Sequence, residues 1–191
     1  MPERTCLDAF RINEVALVNR AAAGDRAAQG ELARRSFRRV LAYCQSRVFQ
    51  LADAEELTQE SLLRAMIQLP TLVDPPRFDA WLRGIASHVC TDWHRQRRRD
   101  RGGEPADVMA SPDADPAEHV ANADEQESIQ RKLQELPEEL REVLLLFYYE
   151  EQSYEEIAQW LGVARATVSD RLARARNMLR QRMCELRSFS T

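Results

Sequence analysis

Apolar residues recur along most of this chain at spacings of three and four, and no stretch alternates strictly with a period of two. That pattern predicts helices and no sheet. Leu7–Ala23 reads as a first helix, and the Gly24-Asp25 turn starts a longer one whose inner face carries Leu32, Val40, Leu41, Cys44 and Val48. Asp53 with Glu56 reads as an N-cap signal for a helix continuing to Leu69, with Leu57, Leu62, Ala65 and Met66 inward. Pro70, Pro75 and Pro76 then predict a non-helical loop, because each lacks an amide hydrogen and biases the residue before it toward extended geometry. The next helix, from about Arg77 to Arg98, has two faces. Phe78, Leu82, Ile85, Val89 and Trp93 form a buried stripe, and Gly84, His88, Thr91 and Arg95 lie opposite.

Between Gly102 and Asp124 the pattern stops. Three prolines and a run of acids, with few large apolar residues, cannot bury enough surface to offset ordering entropy, so this stretch reads as a linker. Helix is expected again from near Glu125 to Leu136, and Pro137 suits the first turn of the following helix, where Leu140, Val143, Leu144 and Phe147 point inward. Ser153 and Glu156 then have capping-box spacing, with Ile157, Trp160 and Leu161 inward behind them. Ala158 and Gly162 sit where a helix-turn-helix needs a small contact residue and a turn residue tolerating positive φ. A last helix buries Val168, Leu172, Ala175, Leu179, Met183 and Leu186. The expected architecture is all-α, with two small helical domains over about 1–100 and 125–187 joined by an acidic flexible linker over 101–124.

Composition changes this picture in one respect. The formal charge of −4 over 191 residues argues against a simple DNA-coating protein, but the charges come in blocks. Residues Arg83–Arg101 carry six arginines against Asp92 and Asp100, Gly102–Gln130 carry eight acids and no Lys or Arg, and Ala164–Arg187 carry seven arginines against Asp170 and Glu185. Lys132 is the only lysine, so nearly every cation is a guanidinium, able to fork onto guanine or phosphate; a genome rich in G and C produces the same bias. Eight acids between two cationic domains would, folded over them, suppress stray DNA binding. No apolar run approaches the roughly 20 residues that span a bilayer, and the N-terminus lacks the apolar core of a signal peptide, so the expectation is a cytoplasmic protein without membrane insertion. Cys6, Cys44, Cys90 and Cys184 are scattered without a CxxC pair, as suits buried or incidental thiols. Cys90 and His94 are four apart, but two ligands make no structural zinc site and His88 points off their line, so no metal is expected. No phosphate-cradling glycine loop, nucleophile motif or His–acid pair is present; neither catalysis nor a cofactor is expected.

The helix-turn-helix over Tyr154–Arg176 places Arg165, Thr167, Ser169, Asp170, Arg171 and Arg174 near the exposed start of its second helix, which would present them to base edges and phosphates; the alternative is a solvated basic helix. Four segments together, GDRAAQGEL, DAEELTQESLLRA, FDAWLRGIASHVCTDWHRQRR and LPEELREVLLLFYYEEQSYEEIAQWLGVARATVSDRLARAR, resemble the extracytoplasmic-function branch of the sigma-70 family over about Ile12 to Met183. The resemblance implies a promoter-specificity subunit of bacterial RNA polymerase. On it, Asp53, Glu55, Glu56, Gln59 and Glu60 bind the β′ clamp helices, and helices from Leu133 to Tyr149 help hold the β flap. His88, Thr91, Arg95 and Arg98 hold a melted −10 strand, and the helix-turn-helix residues read a duplex −35 element of promoter DNA. His88 stands where many relatives carry Asn, and Asp170 where Ser is common; an acid there can accept from cytosine N4. An anti-sigma factor is a possible further partner. The rival reading is a stand-alone helix-turn-helix repressor of duplex operators.

Overall fold

In a computed structural model of the chain, which describes residues 3–100 and 131–188 and the side chains of 13–100 and 131–181, every regular element is helical. The linker expected over 101–124 and the helix start expected near Glu125 lie outside the described residues, as do the side chains of Met183 and Leu186. The elements are α1 (Glu3–Ala22), α2 (Arg26–Gln45), α3 (Leu51–Gln68), α4 (Phe78–Asp100), α5 (Glu138–Tyr148), α6 (Tyr154–Leu161) and α7 (Arg165–Ser188).

Local chemistry sets the boundaries. Gly24 takes φ +93°, and the Asp25 carboxylate then accepts from the Ala28 amide at 3.1 Å, capping α2. Helix α3 begins two residues before Asp53, with Gln50 in the N-cap position and no side-chain cap. The cap expectation at Asp53 therefore fails: its carboxylate lies in the first turn, where the helix dipole favours it, and it accepts from Arg97 of α4 at 3.0 Å. The proline stretch is likewise not a plain loop. It forms two 3₁₀ turns, Leu69–Thr71 and Pro75–Arg77, each with proline at a position whose amide needs no partner.

Helices α1 to α4 bury Val18, Leu32, Val40, Leu69, Phe78 and Leu82; α5 to α7 bury Val143, Leu146, Ile157, Trp160 and Leu172. Buried hydroxyls are satisfied locally, Thr58 donating to the Ala54 carbonyl at 2.7 Å and Ser61 to that of Leu57 at 2.6 Å. Cys44 and Cys90, 46 residues apart in sequence, meet in this core with their sulfurs 3.9 Å apart. The hydrogen bond from Cys90 holds the Cys44 thiol below its usual range, and that same pairing, with burial, pushes Cys90 up.

The two groups of helices also pack on each other, α2 against α5 and α4 against α6. Helix α5 is buried on nearly every side, including its charged residues Arg141 and Glu142. The Glu142 carboxylate accepts from the Trp160 indole at 3.2 Å within its own group, and meets Arg83 of α4 at 3.2 Å and Arg47, just beyond α2, at 3.5 Å. The Arg39 guanidinium lies 5.5 Å from the centre of the Trp160 ring and pairs with Asp79 at 2.8 Å. Burial raises the Asp79 carboxyl above its ordinary range.

Candidate nucleic-acid interface

The hinge of the helix-turn-helix is built as its residues dictate. The Ser153 hydroxyl accepts from the Glu156 amide at 3.3 Å, and the Glu156 carboxylate accepts from the Ser153 amide at 2.8 Å, a complete capping box for α6. Gly162 closes α6 at φ +67°. A Cβ there would meet nothing within 4 Å, so the demand for glycine comes from the backbone conformation alone. Val163 donates to the Ala158 carbonyl at 3.0 Å, which holds the turn onto the helix it leaves.

Beyond that turn, α7 seats Val168, Leu172 and Ala175 in the core. The opposite face leaves Arg165, Ser169, Asp170 and Arg174 exposed and Thr167 and Arg171 half-buried. The three cations already have acidic partners: Arg165 with Glu155 at 2.5 Å, Arg171 with Glu139 at 2.6 Å and Arg174 with Asp170 at 3.8 Å. Ion pairs in such exposed positions are worth about 0–1 kcal/mol, little enough for phosphate oxygens to displace.

On α4 the residues expected at the −10 strand, His88, Thr91, Arg95 and Arg98, all lie exposed. The Thr91 hydroxyl donates to the Ser87 carbonyl at 2.8 Å, which leaves its oxygen as an acceptor. Arg95 has only a 3.9 Å approach to Asp92. Arg97, absent from the expected set, is held between Asp53 and the face of Trp93 at 4.7 Å. Trp81 and Trp93 pack against the core as half-buried rings, Trp81 tilted 6.0 Å from Phe78. His94 presents its ring to Trp93 edge-on at 4.9 Å.

The acidic face of α3 divides. Glu55, Glu56 and Gln59 are exposed, whereas Asp53 and Glu60 are half-buried and paired, Glu60 with Arg64 at 2.6 Å. That face continues into apolar residues the sequence reading passed over, Leu63 at 58% and Ile67 at 70% exposure. The signal was present: both fall out of phase with the inward stripe of Leu62 and Met66, and both share a helical face with Glu56 and Glu60.

Two family models match the chain, sigma-70 region 2 over residues 32–100 and sigma-70 region 4 over residues 126–179. The first covers most of α2 through α4 and the second covers α5, α6 and most of α7. A probable RNA polymerase sigma factor, RfaY, from Xanthomonas campestris pv. campestris is 35% identical over 176 residues, 90% of this chain but 44% of that protein. The ECF RNA polymerase sigma factor SigD of Mycobacterium tuberculosis is 36% identical over 155 residues, 77% of this chain and 73% of its own. Among solved structures, that of CnrH in complex with the cytosolic domain of CnrY is similar with a TM-score of 0.60 and 25% identity, covering 90% of this chain and 97% of that one.

Proposed function

Because the chain belongs to the extracytoplasmic-function family of RNA polymerase sigma factors, we propose that it binds core polymerase, places α7 on a duplex −35 element and the exposed face of α4 on a melted −10 strand, and so selects where transcription starts. The observation that supports this best is the pairing, on one chain, of a helix-turn-helix whose reading face is open with a second, separate polar and basic helix face. A repressor needs only the first.

In this reading residues 1–100 form the domain for polymerase and the −10 strand, 101–124 the linker, and 125–187 the domain for the −35 element. Arg165, Thr167, Ser169, Asp170, Arg171 and Arg174 contact duplex DNA, arginines forking onto guanine or phosphate and Asp170 accepting from cytosine. His88 and Thr91 meet an unstacked base while Arg95 and Arg98 hold phosphates. Glu55, Glu56 and Gln59 meet the β′ clamp helices, with Asp53 and Glu60 setting the local charge and with Leu63 and Ile67 extending the contact. Helix α5 and its neighbours help hold the β flap. The protein itself has no catalytic role; phosphodiester chemistry belongs to the polymerase, and the work is done in the cytoplasm. Melting is favoured because unpaired bases gain stacking and polar contacts that duplex DNA cannot make, offsetting unstacking costs of a few kcal/mol.

The decisive experiment mixes the purified protein with sigma-free core polymerase and a library of promoter sequences. A stable complex with selective initiation is the expected result. Absence of a complex, with tight duplex binding by the protein alone, would replace this reading with the repressor.

A further inference from the structure

Free cysteines are among the most buried residues, and most of them are inert fillers of a core. Cys44 and Cys90 depart from that pattern by facing each other. Cys44 lies in the last turn of α2 and Cys90 in the middle of α4, yet the Cys90 thiol donates to the Cys44 sulfur at 3.9 Å. The contact divides the two chemically. The hydrogen bond from Cys90 makes Cys44 the more acidic thiol, helped by the Thr58 hydroxyl and the charge of Arg47. Cys90 keeps its proton, because the same pairing and its burial oppose ionisation. One sulfur is thus placed to attack as a thiolate and its neighbour to resolve the product, the division of roles that a redox pair of cysteines requires.

We propose that Cys44 and Cys90 form a reversible redox site, a dithiol that a hydroperoxide converts to a disulfide fastening α2 to α4. The Cys44 thiolate attacks one peroxide oxygen. The sulfur–oxygen bond forms, the oxygen–oxygen bond breaks, and the departing hydroxide takes up the proton that Cys44 released. The Cys90 sulfur then attacks the sulfenic acid on Cys44; a sulfur–sulfur bond replaces the sulfur–oxygen bond, and the hydroxyl group leaves as a second water with the Cys90 proton. Each thiol loses one electron and the peroxide takes both. The sulfurs must close from 3.9 Å to the roughly 2.05 Å of a disulfide. Cys44 belongs to a helix end, where local opening costs least. Both residues are buried, at 0% and 2% exposure, so a small peroxide enters only through such openings and the reaction is slow. Once formed, the link closes a ring over residues 44–90 that contains all of α3, the proline turns and the first half of α4. That ring includes the acids of α3 and His88, so oxidation stiffens the part of the molecule that meets polymerase and the −10 strand. This last step rests on the function proposed above; the redox pair itself does not.

The test treats the full chain, carrying Cys6→Ser and Cys184→Ser so that only this pair can react, with hydrogen peroxide in native buffer. Mass spectrometry after proteolysis should find the fragments bearing Cys44 and Cys90 joined, lighter by two hydrogen atoms and separated again by dithiothreitol. The urea midpoint of the oxidised protein should lie about 1 M above that of the reduced one, because the closed ring constrains the unfolded chain. Hydrogen exchange of the α4 amides should slow. Two single variants check the roles, with circular dichroism confirming that each stays helical. In Cys90→Ala, peroxide should add oxygen to Cys44, which has lost its resolving partner; in Cys44→Ala, Cys90 should stay unmodified over the same time. A folded protein that acquires no link would overturn the proposal, as would a link formed only in urea that unfolds the chain, or oxygen added to both sulfurs without joining them. So would a link that changes neither midpoint nor exchange, or a Cys90 that reacts as fast as Cys44 in the single variants. None of these readouts involves polymerase or promoter DNA, so the sigma-factor reading stands or falls separately.

Discussion

At the scale of single residues, Arg141 shows how much one buried cation can organise. Its guanidinium donates to the carbonyls of Leu133 at 2.8 Å, Gln134 at 2.6 Å, Leu136 at 2.8 Å and Ser46 at 2.6 Å. Burial lowers its pKa to about 10, still charged at neutral pH. Arg141→Met should cost about 3–5 kcal/mol, because four carbonyls lose their donor in a place water reaches poorly, and Arg141→Lys should recover only part of it because an ammonium cannot fork the same way. Urea denaturation of the three proteins measures both. His94 gives the pH dependence. Burial holds its pKa below the ordinary value, while a hydrogen bond to the Arg47 backbone and the charge of Glu138 on α5 pull it upward, and Arg98 and Arg97 on its own helix push it down. With the folded value the lower one, the unfolded chain takes up the proton first as pH falls. Stability is therefore lost from about pH 6.5 downward through the folded pKa. Melting temperatures between pH 7 and 5 should fall less steeply for His94→Gln than for the wild type. Arg141 and Glu142 were invisible to a reading of apolar spacing, which assigns charged residues to water; their burial depends on residues such as Arg47, 95 positions from Glu142.

Helices and turns were far more legible, because their determinants are local. Ser153, Glu156 and Gly162 mark the hinge in the sequence itself, and the structure gives each the geometry its chemistry requires. Gly162→Ala should cost about 1 kcal/mol, all of it from forcing an L-residue into the left-handed region, since there is room for the methyl. Asp53 misled because an acid in a first turn and an acid at an N-cap carry the same sequence signature; only the position of Leu51 tells them apart. The expectation of buried thiols holds for Cys44 and Cys90, both buried and free, although their separation along the chain gave no sign that they meet across the core. On α7, Arg174→Ala should weaken duplex binding for all sequences alike and reduce the salt slope by about one if it contacts phosphate. Glu139→Gln should do the reverse, freeing Arg171 from its 2.6 Å partner and raising duplex affinity. Fluorescence titrations against duplex DNA at several salt concentrations test both.

At the scale of the whole molecule, the sequence pattern predicts two groups of helices but carries no information on how they meet. A hydrophobic period fixes which face of a helix turns inward; it says nothing of which polar side chains interlock where two groups of helices meet. Arg47, just beyond α2, and Arg83 of α4 converge on Glu142 of α5, so ion pairs as well as apolar packing hold the two groups of helices together. Trp160 sits at the centre of that contact, 1% exposed, under Arg39 and bonded to Glu142. Its indole consequently reports on its surroundings by light as well as by structure. With Trp81 and Trp93 replaced by phenylalanine, the remaining emission should stay blue while Trp160 is buried and shift to longer wavelength as the ring meets water on unfolding. Trp160 is thus an optical gauge of whether its contacts with Arg39 and Glu142 are intact in the isolated protein, readable without an added dye.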